Sequence, residues 1–252
     1  KKNDRTRERY EVNESRSKDI FLKTFNQYEE EIFRTSYSLN LLQNQDLEFG
    51  IERARTTLES SLRLGLLTGG SVASEFGGLT PINRSNAVVQ EIRHEGFAVH
   101  NWRISERMSL ESTIIYEEST IEQSGDTSKK RDFSFVRPKV DYRFDITPSL
   151  QFRATIEKDV AQLSFNDFTA NIAPNNDEDK NTFAGNPEIK QEQSWRYDLN
   201  LEYRFDNDNG VINTNLYYQD LEDLIDRIDV STPTLIQSAN GNIGDGRRHG
   251  GS

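Results

Sequence analysis

The sequence contains no cysteine, which excludes a disulfide framework and a thiolate metal site. It contains no run of about 18 apolar residues, which excludes a transmembrane helix. That absence leaves a membrane β-barrel open, because the barrel signal per segment is weak. Only 33% of residues are hydrophobic and 29% are charged, poor material for a core buried on all sides. The same composition suits a barrel, with one wet strand face and polar loops. Positive charge is also short: 31 Lys and Arg face 42 Asp and Glu, a net charge of −11, which argues against a nucleic-acid partner. The opening KKNDRTRERY has no apolar stretch of the signal-peptide kind. The closing GDGRRHGGS ends in polar residues, and both ends read as cut points of an internal fragment.

What is present is alternation. In Gln193–Phe205, Trp195, Tyr197, Leu199, Leu201, Tyr203 and Phe205 fall on one face of an extended ribbon, and Arg196, Asp198, Asn200, Glu202 and Arg204 on the other. Aromatics sit at both ends of the apolar face and leucines between them. A strand crossing a bilayer needs about 9–11 residues, with aromatic girdles at the interfaces and apolar residues at mid-depth. A soluble half-buried strand is shorter and has no reason to sort aromatics to its ends.

The rest of the chain repeats the pattern. Strands are predicted over 3–12, 19–42, 47–64, 86–104, 110–122, 132–144, 150–161, 193–205 and 211–221. That is roughly nine strands of a larger barrel. In 86–104 the alternation breaks: Phe97 and Val99 have one parity, Trp102 and Ile104 the other, which predicts a bulge. Pro138 is discordant, since proline removes a ladder donor. Short turns near 44, 106, 146 and 208 alternate with longer polar loops at 65–85, 123–131, 162–192 and 229–247. Outer-membrane barrels have this parity, short periplasmic turns and long extracellular loops. Greek-key sandwiches do not. The expected fold is therefore all-β: a partial, antiparallel, up-and-down transmembrane barrel over residues 1–252.

Several motifs then resemble a known family, the TonB-dependent outer-membrane receptors of Gram-negative bacteria. Gly185-Asn186-Pro187-Glu188-Ile189-Lys190-Gln191-Glu192 resembles the family's GNPxLxPE loop, with Gln191 where proline is usual. The strand Trp195–Tyr203 resembles its W-x-Y-x-L-x-x-E-Y strand. Leu216–Ile225 resembles the next aromatic strand and its D-x-x-D-x-I exit, and Asn240–Gly246 the N-x-G-D loop. Phe135–Tyr142 and Val160–Phe168 resemble the two preceding strands and their loop. The likeness is specific from about 131 to 248 and rests on strand rhythm before that. It implies a barrel around a plug domain, with import of a scarce nutrient (siderophore, cobalamin or carbohydrate) driven by TonB. Such barrels have 22 strands. The plug, the TonB contact and the terminal strand lie outside these residues by this reading. The expected location is the outer membrane, and the expected partners are lipid, the nutrient and TonB through the plug. The alternative is a soluble all-β binding module, a sandwich with its apolar faces packed inward.

No enzyme is expected and no cofactor. His94 and His100, six apart, share a face but stand too far apart for a metal pair, and His249 is isolated. No Gly-x-Ser-x-Gly elbow accompanies them. Gly241, Gly244 and Gly246 lack the helix a phosphate loop needs. Asp206, Asp208 and Gly210 start like a calcium loop but fail at the later ligands, so they read as a hairpin turn. Asp177, Glu178 and Asp179 could hold a cation but read as a solvated loop. Arg137, Arg143, Arg153, Arg196 and Arg204 are expected on the wet face, paired with acids. The sequence names no ligand contact.

Overall fold

A computed structural model of the protein describes residues 2–10, 17–169, 182–205, 209–233 and 237–252. Among them are thirteen strands: β1 (Lys2–Tyr10), β2 (Lys18–Leu42), β3 (Gln45–Leu66), β4 (Thr80–Ser105), β5 (Met108–Gly125), β6 (Lys129–Thr147), β7 (Leu150–Val160), β8 (Thr182–Phe183), β9 (Gln193–Arg204), β10 (Val211–Glu222), β11 (Ile225–Asp229), β12 (Gln237–Asn242) and β13 (Gly246–Gly251). Ten form one sheet in the order β1-β2-β3-β4-β5-β6-β7-β9-β10-β13, and β11-β12-β8 form a small second sheet. Every neighbour pair in the large sheet is antiparallel, and sequence neighbours are spatial neighbours. This is a single-layer barrel wall that does not close on itself.

The register explains the alternation. Cross-strand partners share a face. One row runs Tyr37, Phe49, Ala98, Ile114 and Pro138 across β2 to β6. Another runs Val140, Ile156, Tyr197 and Tyr218 across β6 to β10. Aromatic contacts stitch this apolar face, with Tyr37–Phe49 ring centroids 6.0 Å apart and Tyr197–Tyr218 6.1 Å apart. The face stays open: Leu199 is 48% and Leu201 43% exposed. A sandwich would bury them in a two-sheet core, so the soluble-module expectation fails on this observation.

Four expectations need correction. The sheet has ten strands, one more than the sequence count, because 229–247 is not simply a loop. It holds β12 and the start of β13, whose QSANGN and GRRHGG carry no apolar alternation and are held by backbone pairing with β11 and β10. The loop expected over 123–131 is a tight hairpin, with Gln123 opposite Lys129. The outer connections are thus not all long, although the parity of direction holds. The loop over 65–85 is shorter, since β4 begins at Thr80.

No bulge separates Phe97 from Trp102. The ladder from Ala87 to Arg103 against β5 is unbroken, and the shift comes later, between Arg103 and Ser105. Phe97 and Val99 face the polar side. Phe97 has room there because its partner is Gly50, where a Cβ would lie 2.6 Å from the ring and 2.4 Å from the Thr35 carbonyl oxygen. The Arg34 guanidinium covers the ring, 4.5 Å from its centroid. Pro138 also finds a physical reason. Pairing of β6 with β7 ends at Lys139–Glu157, so the missing N–H falls where β7 has already left.

Candidate functional site

The polar face carries a ladder of charges across five strands. Glu52 of β3 accepts from Arg34 of β2 at 3.4 Å and from Arg93 of β4 at 3.3 Å. Arg93 also pairs with Glu95 at 3.1 Å, and Arg137 of β6 reaches both Glu95 at 3.1 Å and Glu117 of β5 at 3.0 Å. Glu91 and Glu117 are buried, and Ser119 donates to Glu91 at 2.7 Å. Charges so close to a protein wall need partners, and here each guanidinium bridges two carboxylates or a carboxylate and a ring. Nearer the short turns, Arg153 meets Asp141 through Nε, which lies 2.9 Å from each carboxylate oxygen, and through Nη2 at 2.7 Å, and Thr155 donates to the same carboxylate at 2.8 Å.

At the opposite end, the segment after β7 turns onto the polar face. Leu163, Phe165, Phe168 and Ile189 pack on Leu58, Val89 and Ile121 of β3, β4 and β5. Among the described residues this cluster is the larger of two buried apolar clusters. Around it lies a clamp of hydrogen bonds. Gln123 donates to the Phe168 carbonyl at 3.0 Å, Arg131 to the Ile189 carbonyl at 2.5 Å, and the Tyr28 hydroxyl to Asn166 at 2.6 Å. Burial pushes the Tyr28 hydroxyl up from its ordinary value, and it lowers the Arg131 guanidinium.

This clamp accounts for the Gly185–Glu192 motif. The Asn186 N–H donates to the Asp167 carbonyl at 2.6 Å, and its side chain spans two elements. Its amide donates to the Asn240 carbonyl at 2.9 Å, while its oxygen accepts the Glu188 N–H at 3.0 Å, an Asx turn. Asn240 donates to Asp167 at 2.8 Å. Asn242 accepts from the Lys190 N–H at 2.8 Å and donates to the Lys190 and Asp223 carbonyls at 3.1 and 2.7 Å. Gly185 must be glycine, because a Cβ would stand 2.3 Å from the Phe168 carbonyl oxygen. The two motifs, 185–192 and 240–242, are halves of one brace.

A pH response follows. Lys129 hydrogen-bonds the Glu188 carboxylate and holds it below the usual carboxylate range, with the Arg131 charge adding to the effect. A depressed carboxylate stabilises the folded loop above its unfolded pKa of about 4.3, and the contribution is lost as pH falls through the lower folded value. In the full-length parent, protection of the 185–192 amides, taken as exchange relative to each amide's intrinsic rate at the same pH, should be constant from pH 8 to 5 and fall in acid below that. Glu188→Gln should flatten the part of the acid response owed to this pair. An identical acid response in wild type and Glu188→Gln would refute the pair's role.

The sequence-predicted residues fall as follows. Arg137, Arg143, Arg153, Arg196 and Arg204 share the polar face and all are paired: with Glu95 and Glu117, Asp145, Asp141, Asp198 and Glu202 respectively. His94 and His100 lie on the open apolar face. His100 contacts Gln45 at 3.0 Å, and six residues of strand place the two histidines about 20 Å apart. His249 pairs in register with Tyr218 on β10, distant from both in the sheet. Gly241 and Gly246 belong to strands and Gly244 to a turn at φ 114°, so these glycines form no phosphate loop. Phe205 N–H donates to the Gly210 carbonyl at 2.9 Å, closing the expected hairpin. Asp206 and Asp208, and Asp177, Glu178 and Asp179, lie outside the described residues. Among the described residues no group of three or more His, Asp or Glu is placed to hold a metal ion. Sequence reasoning missed the ladder of Glu52, Arg93, Glu95 and Glu117. Its signal was there, in acid and arginine recurring at the wet parity of five successive strands, from Arg34 to Arg137.

A long antiparallel sheet with meander order, a continuous apolar outer face and an ion-paired inner face defines the wall of a membrane-type barrel. The chain belongs to the TonB-dependent receptors: the profile of the family described as "TonB dependent receptor-like, beta-barrel" matches residues 2–251. No curated protein sequence matches it. Solved structures share the fold. The copper transporter OprC is 14% identical with a TM-score of 0.66, covering 99% of this chain and 38% of OprC. The ferric yersiniabactin uptake receptor FyuA from Yersinia pestis is 12% identical with a TM-score of 0.61, over 99% of this chain and 35% of the receptor. The ferric citrate transporter FecA is 13% identical with a TM-score of 0.62, over 99% of this chain and 34% of FecA. The chain therefore spans little more than a third of the length of these proteins.

Proposed function

We propose that this chain is part of the wall of an outer-membrane transporter that imports a scarce nutrient, driven by TonB through a plug held elsewhere in the parent protein. The observation that carries the reading is the register-locked apolar face, open across β2 to β10, opposite a face of paired charges. In lipid, a β-wall must satisfy its backbone internally and present apolar side chains outward. The apolar face then meets lipid and the charged face lines an aqueous lumen. The short turns at 43–44, 106–107 and 148–149 lie at the periplasmic rim. The clamp lies at the extracellular end, where β2 to β5, at 18 to 26 residues each, run well beyond a bilayer crossing of about 9–11.

The nutrient is of the siderophore, cobalamin or carbohydrate kind. The neighbours named for copper, ferric yersiniabactin and ferric citrate support metal-bearing cargo at the level of class. The ion-paired ladder of the lumen acts as a hydrated wall along which a polar solute passes without a deep trap.

Since these residues contain no cysteine, single cysteines report the faces cleanly. In the parent protein in outer-membrane vesicles, Asn200→Cys should react with a hydrophilic maleimide from the aqueous lumen. Leu199→Cys should stay unreactive and be quenched by a lipid-borne nitroxide once labelled in detergent. The inverse pattern would remove the membrane reading.

A further inference from the structure

We propose that the polar face, close to the short turns, carries a weak binding site for the zwitterionic head of an amino acid. This rests on the reading that the face lines an aqueous lumen. A groove of about 530 Å³ lies there, and its lining includes Asp46, Asn101, Arg103, Ser109, Glu111 and Asp141. The register orders these side chains. Asp46, Asn101, Glu111 and Asp141 form one cross-strand row over β3 to β6. Arg103 and Ser109 begin the next row, toward the short turns. Acids therefore stand on one side of the groove and a guanidinium on the other. The two rows are one two-residue strand step apart, about 7 Å.

Pairing sets three of these charges apart. Among the described residues, every other arginine on the polar face of β2 to β9 holds an acid or a backbone carbonyl. The Arg103 side chain holds neither, and the carboxylates of Asp46 and Glu111 have no ion pair or hydrogen bond among the described residues. The other charges of the groove are engaged: Asp141 with Arg153, and Arg143 with Asp145. Arg153, whose charge also bears on Glu111, is thus already held. Arg103 closes on neither free acid. The sheet therefore keeps opposite charges apart across the groove, each with unused hydrogen-bonding capacity. The strands fix this arrangement in advance, so a ligand need not order the backbone. An ammonium between Asp46 and Glu111, with a carboxylate on the Arg103 fork, satisfies all three groups at once. A simple anion would meet the two acids unfavourably, and a simple cation would leave Arg103 opposed to it. A solute that carries both charges close together matches both rows.

The test uses the full-length parent in detergent micelles and three matched probes, read by saturation transfer to the probe methyl group. The probes are L-alanine, ethylamine, which is alanine without its carboxylate, and propionate, which is alanine without its ammonium. L-alanine should bind about tenfold more tightly than either, the weight of one charge-assisted hydrogen bond. Arg103→Gln should bring alanine to the level of ethylamine and leave ethylamine unchanged. Asp46→Asn combined with Glu111→Gln should bring alanine to the level of propionate. Folding of each variant is checked by insertion into vesicles, and the acid variant carries the test if Arg103→Gln does not insert. Equal binding of alanine and ethylamine, unchanged alanine binding in Arg103→Gln, or no alanine binding at all, as when a segment of the parent fills the groove, would overturn the proposal. The maleimide pattern at positions 199 and 200 separates the two failures. If it holds while alanine shows no preference, only the amino-acid site falls. If it inverts, the groove faces lipid and both readings fall.

Discussion

Ile189→Ala is expected to release the extracellular clamp while leaving the sheet intact. Ile189 is fully buried at 0% exposure, seated among Leu58, Val89, Ile121, Leu163, Phe165 and Phe168. Truncating a buried isoleucine to alanine costs about 2–5 kcal/mol, from lost transfer energy and the cavity left behind. The cost falls on a unit that can open separately. Residues 163–169 and 184–192 are tied to the wall by this cluster and a few hydrogen bonds, whereas β2 to β5 are held by ladders of sixteen to twenty-two register pairs. In the parent, hydrogen exchange should rise in 163–169, 184–192 and 240–242, which share the brace, and stay unchanged in β3 and β4. Cleavage by an added protease within these stretches should rise in step. Exchange spreading through β3 and β4 would mean that the loop core holds up the wall itself, and the brace would no longer be a separate unit.

The difference between loop and wall also explains what could be read in advance. The wall was readable because burial is one-sided and the side-chain period is two. Tyr37, Phe49, Ile114, Leu199 and Tyr218 announce their face without any partner being known. The rim could be read from turn chemistry, with Asn44 at φ 63° in the tightest example. The brace could not. Asn186, Asn240 and Asp167 lie up to 73 residues apart, and each is a residue type that loops use for many purposes. Only the resemblance marked 185–192 as special, and it gave no reason. The misread strands share one cause. In β13, and at the tips of β5 and β6, pairing persists where no apolar alternation demands it, since a ladder already started extends at little further cost. The mistaken bulge had another cause. Phe97 on the wet face is a local exception, made possible by Gly50 and covered by Arg34. A parity rule takes a lone inward aromatic for a shift of register.

Leu199→Arg and Asn200→Arg, one residue apart, should behave in opposite ways when the parent protein refolds into lipid vesicles. Leu199 sits in the apolar row between Ala154 of β7 and Leu216 of β10. An arginine on the lipid face at mid-depth costs about 2–4 kcal/mol, because its charge must be drawn to an interface or hydrated by a defect in the bilayer. Asn200 faces the other way, where its amide donates to Asn213 and Arg153 is its register partner on β7. Arginine there loses one exposed hydrogen bond and gains a site beside Asp198 and Glu202, at a cost well under about 1 kcal/mol. Arg153 is the one neighbour that opposes it, and Arg153 is already bound to Asp141 at 2.7 Å. A titration of folded fraction against denaturant, read by the gel shift of the folded barrel, should separate the two variants by about 2 kcal/mol or more. Composition cannot produce this contrast, since both variants carry the same added charge. Should Asn200→Arg prove the costlier change, the charged face would be the one in lipid, and the wall would be inside out.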